Sequence, residues 1–181
     1  MILSPLVQWL LVAGASAIPH AENKRAATSD VTIYAYGSTI AGRPILADSS
    51  GNAYVSNAEV QPANLSSITW SISPKGTADW TVTLNSTNST TTTSGVFYII
   101  PSDDSYEPVG FVINGTTPSG TVTSGFLTYG SVVQYKADSV LTSEFWAEEI
   151  EGTDQYLIKW NADGSHKDGA IPVTLQTTGP S

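Results

Sequence analysis

The sequence predicts an all-β fold, a single-domain antiparallel β-sandwich or barrel of about ten short strands. Three observations point there. From Val31 onward, short runs of β-branched and aromatic residues recur with Gly, Pro, Asn, Asp and Ser between them. Several of these runs alternate apolar and polar residues with the period of two that a half-buried strand requires. No window of helical length carries a 3.6-residue apolar period, and the nearest candidate, Val140 to Ile150, is short enough to form at most a brief helix.

Taken in order, Val31–Tyr36 is the first strand and ends at Gly37. Pro44–Ala47 and Ala53–Val55 flank the turn Asp48-Ser49-Ser50-Gly51-Asn52, and the spacing of these three runs fits two hairpins. Ile68–Ile72 and Trp80–Leu84 alternate cleanly about the turn Pro74-Lys75-Gly76. Val96–Ile100 is continuously apolar, as expected of a strand covered on both faces, and Pro101-Ser102-Asp103-Asp104 stops it. Gly110–Ile113, Phe126–Tyr129 and Val132–Tyr135 continue the rhythm, with Gly130-Ser131 as the tight connection between the last two. Tyr156–Trp160 leads into Asn161-Ala162-Asp163-Gly164, where Asp163-Gly164 is expected to be the positive-φ pair of a hairpin turn. Ile171–Leu175 closes the domain, leaving Gln176–Ser181 as a frayed tail.

The amino-terminal residues read as export machinery. An apolar run from Ile2 to Val12 precedes Ala15-Ser16-Ala17, the small-x-small pattern at which signal peptides are cut, so residues 1–17 are assigned to a signal peptide. The run is too short to span a bilayer, which takes about 20 apolar residues. Residues 18–25 end on Lys24-Arg25 and resemble the pro-segments that fungal kexin-type proteases remove, which implies a β-domain over 26–181 beginning at Ala26.

Setting aside Glu22, Lys24 and Arg25 with the leader takes the formal charge of −9 to −10. Such a surface repels nucleic acid and anionic membranes, and neither is expected as a partner. Cysteine is absent, so burial alone must hold the fold. Thiolate chemistry is excluded with it. Four Asn-x-Ser/Thr sequons, at Asn64, Asn85, Asn88 and Asn114, are candidate glycosylation sites in an exported chain.

The densest acidic stretch is Ser143–Gly164. On a strand Glu144, Trp146 and Glu148 share a face, which resembles the Glu-x-Asp-x-Glu strand of certain fungal β-glucanases. The flanking glutamates of that strand serve as nucleophile and acid, and Glu144 and Glu148 are the matching candidates here. Trp146 stands where the aspartate would be. The spacing also works against the pair, because positions i and i+4 of a strand lie about 13 Å apart whereas a retaining pair of carboxyls is about 5–5.5 Å apart.

Other chemistries find less support. His166 is the only histidine after the pro-segment, and no Gly-x-Ser-x-Gly elbow accompanies it. One histidine does not make the usual catalytic zinc site. Asn161–Gly164 copies only the middle of a calcium loop, with Lys159 and Ala170 at the positions that should coordinate. No metal and no cofactor are expected. Among the many aromatics, Trp70 and Trp146 are the candidates for stacking on sugar rings, against the alternative that strand aromatics pack the core.

The run Ile33-Tyr34-Ala35-Tyr36-Gly37, then Gly42-Arg43-Pro44-Ile45, and the segment Phe145-Trp146-Ala147-Glu148 sit in a small acidic chain with a leader and sequons. This combination resembles the small secreted proteins of filamentous fungi. The resemblance implies a secreted, extracellular, non-enzymatic protein of the cell wall, or an effector or elicitor in the host apoplast, with cell-wall polysaccharide or a host surface component as partner. The alternative is a glycan-binding module or a glycoside hydrolase.

Overall fold

The computed structural model describes residues 27–85, 92–115 and 117–181. The signal peptide, the pro-segment with Lys24 and Arg25, and the sequon at Asn88 lie outside them. No described residue is helical. The chain runs through β1 (Thr28–Val31), β2 (Tyr34–Tyr36), β3 (Ala41–Pro44), β4 (Leu46–Ala47), β5 (Ala53–Ser56) and β6 (Ser66–Ile72). It continues through β7 (Thr81–Asn85), β8 (Thr93–Tyr98), β9 (Tyr106–Pro108), β10 (Gly110–Val112), β11 (Phe126–Tyr129) and β12 (Val132–Ala137). Last come β13 (Val140–Thr142), β14 (Phe145–Glu149), β15 (Gln155–Asn161), β16 (Ala170–Pro172) and β17 (Thr174–Gln176). One antiparallel sheet has the order β10-β8-β7-β6-β4-β5-β15-β14-β16, with β1 beside β6 and β9 beside β15. The second has the order β11-β12-β17-β2-β3, with β13 beside β12.

The all-β class is as the alternation predicts, but the number of strands is larger, and the reason is local. Val31–Tyr36, Pro44–Ala47 and Ile171–Leu175 each look like one strand in sequence. In the structure each crosses from one sheet to the other, dividing β1 from β2, β3 from β4 and β16 from β17. The residue at each corner is buried and apolar: Ile33, Ile45 and Val173. Ile45 N donates to the Ile33 carbonyl at 2.9 Å, and Val173 N donates to that of Phe145 at 2.9 Å, so the corners keep their backbone bonds while changing sheets.

Val140–Ile150 is also corrected: it forms β13 and β14, not a helix. Pairing on both edges decides it, because β14 lies between β15 and β16 and directs Phe145 and Ala147 into the core. The expected frayed tail is held as well. Gln176 belongs to β17, Thr177 N donates to the Ser131 carbonyl at 2.9 Å, and Tyr36 Oη donates to the Thr178 carbonyl at 2.9 Å.

One core serves both sheets. Its centre is Trp70, with ring centroids of Phe97 at 5.0 Å and Phe111 at 5.3 Å, both in edge-to-face geometry, and Trp80 at 6.4 Å. Phe126 and Tyr135 of the second sheet carry the aromatic chain on to Trp160 and Phe145, on β15 and β14 of the first. The larger sheet curls back on itself because β9 and β10 are separated by Val109 alone. β9 bonds to β15 and β10 to β8, which are distant members of the strand path. Val109 N donates to the Ile158 carbonyl, and the Val109 carbonyl accepts from Ala53 N, each at 2.9 Å.

Candidate functional site

The face of β14 turned away from the core carries the sequence candidates. Since Phe145 and Ala147 point inward, Glu144, Trp146 and Glu148 share the outer face with Lys159, which is paired with Trp146 on β15. Tyr106 enters the same face from β9, where it is paired with Asn161. The segment from Ala162 to Gly169 joins β15 to β16 past the intervening β14, and its His166 lies edge-on to Trp146 at 6.3 Å.

This route corrects the hairpin expected at Asp163-Gly164. β15 and β16 do not pair, and only Gly164 of the two has a positive φ, at 64°. The turn is closed by Gly164 N donating to the Asn161 carbonyl at 3.1 Å and by Ser165 N donating to Asp163 Oδ1 at 2.8 Å. That backbone donor, helped by the Ser165 side chain and by Lys167, holds the Asp163 carboxyl below its ordinary pKa. Beneath the turn Asn161 is fully buried, and its Nδ2 donates to the Ser165 carbonyl at 2.7 Å.

The centre of the face is a charged cluster. The Lys159 ammonium contacts the Glu148 carboxylate and sits 4.2 Å from the centroid of the Tyr106 ring, a cation–π distance. Lys167 lies 5.4 Å from the same centroid and 3.5 Å from Asp163 Oδ2. No well-aligned hydrogen bond reaches Tyr106 Oη or Glu148 Oε2, although both are shielded from solvent. Burial first, and then the charge and proximity of the Glu148 carboxylate, push the Tyr106 phenol up to about 12.

A pH dependence follows. The folded chain keeps the Tyr106 proton where an unfolded tyrosine, at about 10, loses it. The stabilisation is therefore complete below about pH 10 and is lost as pH rises toward about 12. Urea midpoints measured across that range are expected to fall, and Tyr106→Phe to flatten part of the fall. An unchanged slope in the variant would remove Tyr106 from the account.

The two candidate carboxylates have different surroundings. Glu148 is engaged by Lys159 and Tyr106. Glu144, four residues along the strand and beyond Trp146, borders a different cavity of about 180 Å³ with Pro101, Tyr135, Thr142, Trp160 and Ala162. That volume is below the roughly 300–1,000 Å³ of ordinary ligand pockets. Both stacking candidates are corrected as well. Trp70 is 1% exposed at the centre of the core, and Trp146 is 8% exposed beside His166. Neither offers a ring face to a sugar.

Of the sequons, Asn64 is exposed in the turn before β6 with Nδ2 3.3 Å from Gln155 Oε1, and Asn114 is exposed in a turn at φ 58°. Asn85 ends β7 and donates to Thr69 Oγ1 at 3.0 Å. Sequence reasoning overlooked Tyr106, Lys159 and Asn161 as a group. Lys159 carried a signal, since a lone cation in an apolar strand needs a partner on its own face. Tyr106 carried none. Comparison with family models, curated proteins and solved structures finds no match.

Proposed function

We propose that the protein is an exported, non-enzymatic β-domain that acts at the cell wall or in the host apoplast, as the small secreted fungal proteins do. The observation that carries the reading is the engagement of Glu148. A carboxylate in contact with a lysine ammonium and beside a buried phenol argues against a free acid or nucleophile. Glu144 borders a separate cavity, and the spacing of about 13 Å between the two strand positions argues against a hydrolytic pair. The leader pattern, Lys24-Arg25, the sequons and the negative charge support an extracellular place of action.

The secreted protein is expected to begin at Ala26 by mass spectrometry, and to release no reducing sugar from insoluble β-glucan, chitin or cellulose. Glu144→Gln and Glu148→Gln are expected to leave that baseline unchanged. Sugar release by the parent protein that disappears in Glu148→Gln would overturn the reading and restore a hydrolase.

A further inference from the structure

A cleft of about 530 Å³ opens where β1 and the end of β6 in the larger sheet meet β2, β11 and the carboxy-terminal segment of the smaller one. It lies apart from the β14 face, and its volume falls within the range of small-molecule sites. Its lining is rich in hydroxyls, supplied by Ser29, Thr32, Thr128 and Thr177, with Val31 and Ile72 as aliphatic members. Among the described residues Asp30 is the only charged one in the lining, and no Lys, Arg or His takes part.

Two features show how the cleft is built. The pairing of β1 with β6 shifts register between Thr28 and Val31, and within that irregularity Asp30 takes a left-handed backbone at φ 59°. Such a bulge re-aims the side chain it carries, and Asp tolerates the conformation better than most residues. The second feature is Tyr34. Its ring is seated against Gly179, where an added Cβ would stand 3.1–3.3 Å from the ring atoms, so the tail fixes the aromatic wall.

We propose that this cleft binds a neutral saccharide. An exposed carboxylate accepts hydrogen bonds from neighbouring ring hydroxyls, the Thr and Ser hydroxyls both donate and accept, and Tyr34 offers an apolar ring surface beside them. Anionic ligands find no cation among the described lining residues and meet a secreted chain of charge −10. Lipids would find too little apolar surface in this lining. A cationic ligand would find a single solvated carboxylate, which is worth little by itself. The assignment goes beyond the function proposed above, which requires no ligand at this cleft, and does not rest on it.

The test is a two-dimensional NMR titration of the secreted protein with soluble oligosaccharides of β-1,3-glucan, chitin and cellulose, and with spermine as a cationic probe. Saturable shifts are expected with at least one neutral sugar at the amides of Asp30, Thr128 and Thr177. Asp30→Asn, which keeps the left-handed preference but removes the charge, is expected to weaken that binding by about tenfold or more. Thr128→Val is the second variant, should the first disturb β1. The proposal is overturned if no sugar saturates, if the shifts map elsewhere, if both folded variants bind as the parent does, or if only spermine binds. None of these failures touches the absence of hydrolysis, which the reducing-sugar assay reads separately.

Discussion

Trp70→Ala is expected to destabilise the domain by about 3–5 kcal/mol, the range for removing a buried aromatic side chain. For a domain of this size that corresponds to a fall in Tm of roughly 6–20 °C. The size of the effect comes from position. Trp70 is 1% exposed and touches Trp80, Phe97 and Phe111, which reach it from β7, β8 and β10 or their approaches, so its loss leaves a cavity shared by several strands. Trp70→Phe separates packing from polarity. The indole Nε1 is buried without a partner, so phenylalanine gives up volume but also removes an unsatisfied donor, and about 1–2 kcal/mol is expected. Urea denaturation of both variants measures this. Equal stability of Trp70→Ala and the parent would show that the aromatic cluster is not the centre of the core.

The same residue shows where sequence reading succeeds and where it stops. Alternation placed Ile68, Trp70 and Ile72 on one face, and all three are buried. Alternation cannot say whether the face holding a tryptophan is the wet one, because period two is identical in either case. What decides is the partner strand: Trp70 is opposite Val82, and Ile68 opposite Leu84, so the face is apolar on both sides. Corners are invisible for a related reason. A strand that changes sheets at Ile33, Ile45 or Val173 keeps an apolar residue at the turning point, and the run reads as uninterrupted.

The candidate site was legible only in part. Glu144, Trp146 and Glu148 do share a face, as strand geometry requires. What that face does depends on residues far away in the chain. Tyr106 reaches Glu148 because β9 lies against β15, and the loop carrying His166 covers Trp146 because β14 lies between β15 and β16. Both are consequences of long-range pairing, on which local spacing is silent. The Asp-Gly signal at residues 163 and 164 was read as a hairpin for the same reason: a turn dipeptide marks a change of direction but not the strand to which the chain returns.

The closure of the larger sheet depends on two glycines, and Gly110→Ala is expected to cost about 2–4 kcal/mol, with Gly51→Ala costing roughly 3–5 kcal/mol. At the seam Phe111 N donates to the Gly51 carbonyl at 2.6 Å, and Asn52 bridges to Gly110. A Cβ on Gly110 would fall inside the van der Waals envelope of the Gly51 carbonyl oxygen, and one on Gly51 inside that of Phe111, both rigid backbone atoms. Gly51 adds a left-handed backbone, φ 89°, that side chains resist. The turn cannot swing away to relieve the clash, since the Asp48 carboxylate accepts from Ser50 N and Asn52 N at 2.9 Å each. The control is Gly152→Ala, which also has a positive φ, 75°, but has open space around it, and should cost only the conformational term of about 1–2 kcal/mol. The double variant Gly51→Ala/Gly110→Ala is expected to lose less than the sum of the two, because one lost seam cannot be lost twice. Hydrogen exchange localises the damage: the amides of Ala53, Val109 and Phe111, which tie β5, β15 and β10 together, should lose protection before those of β6 and β7 do. If Gly110→Ala proves no worse than Gly152→Ala, the seam does not hold the curl of the sheet, and β9 and β10 are merely laid along edges that stand without them.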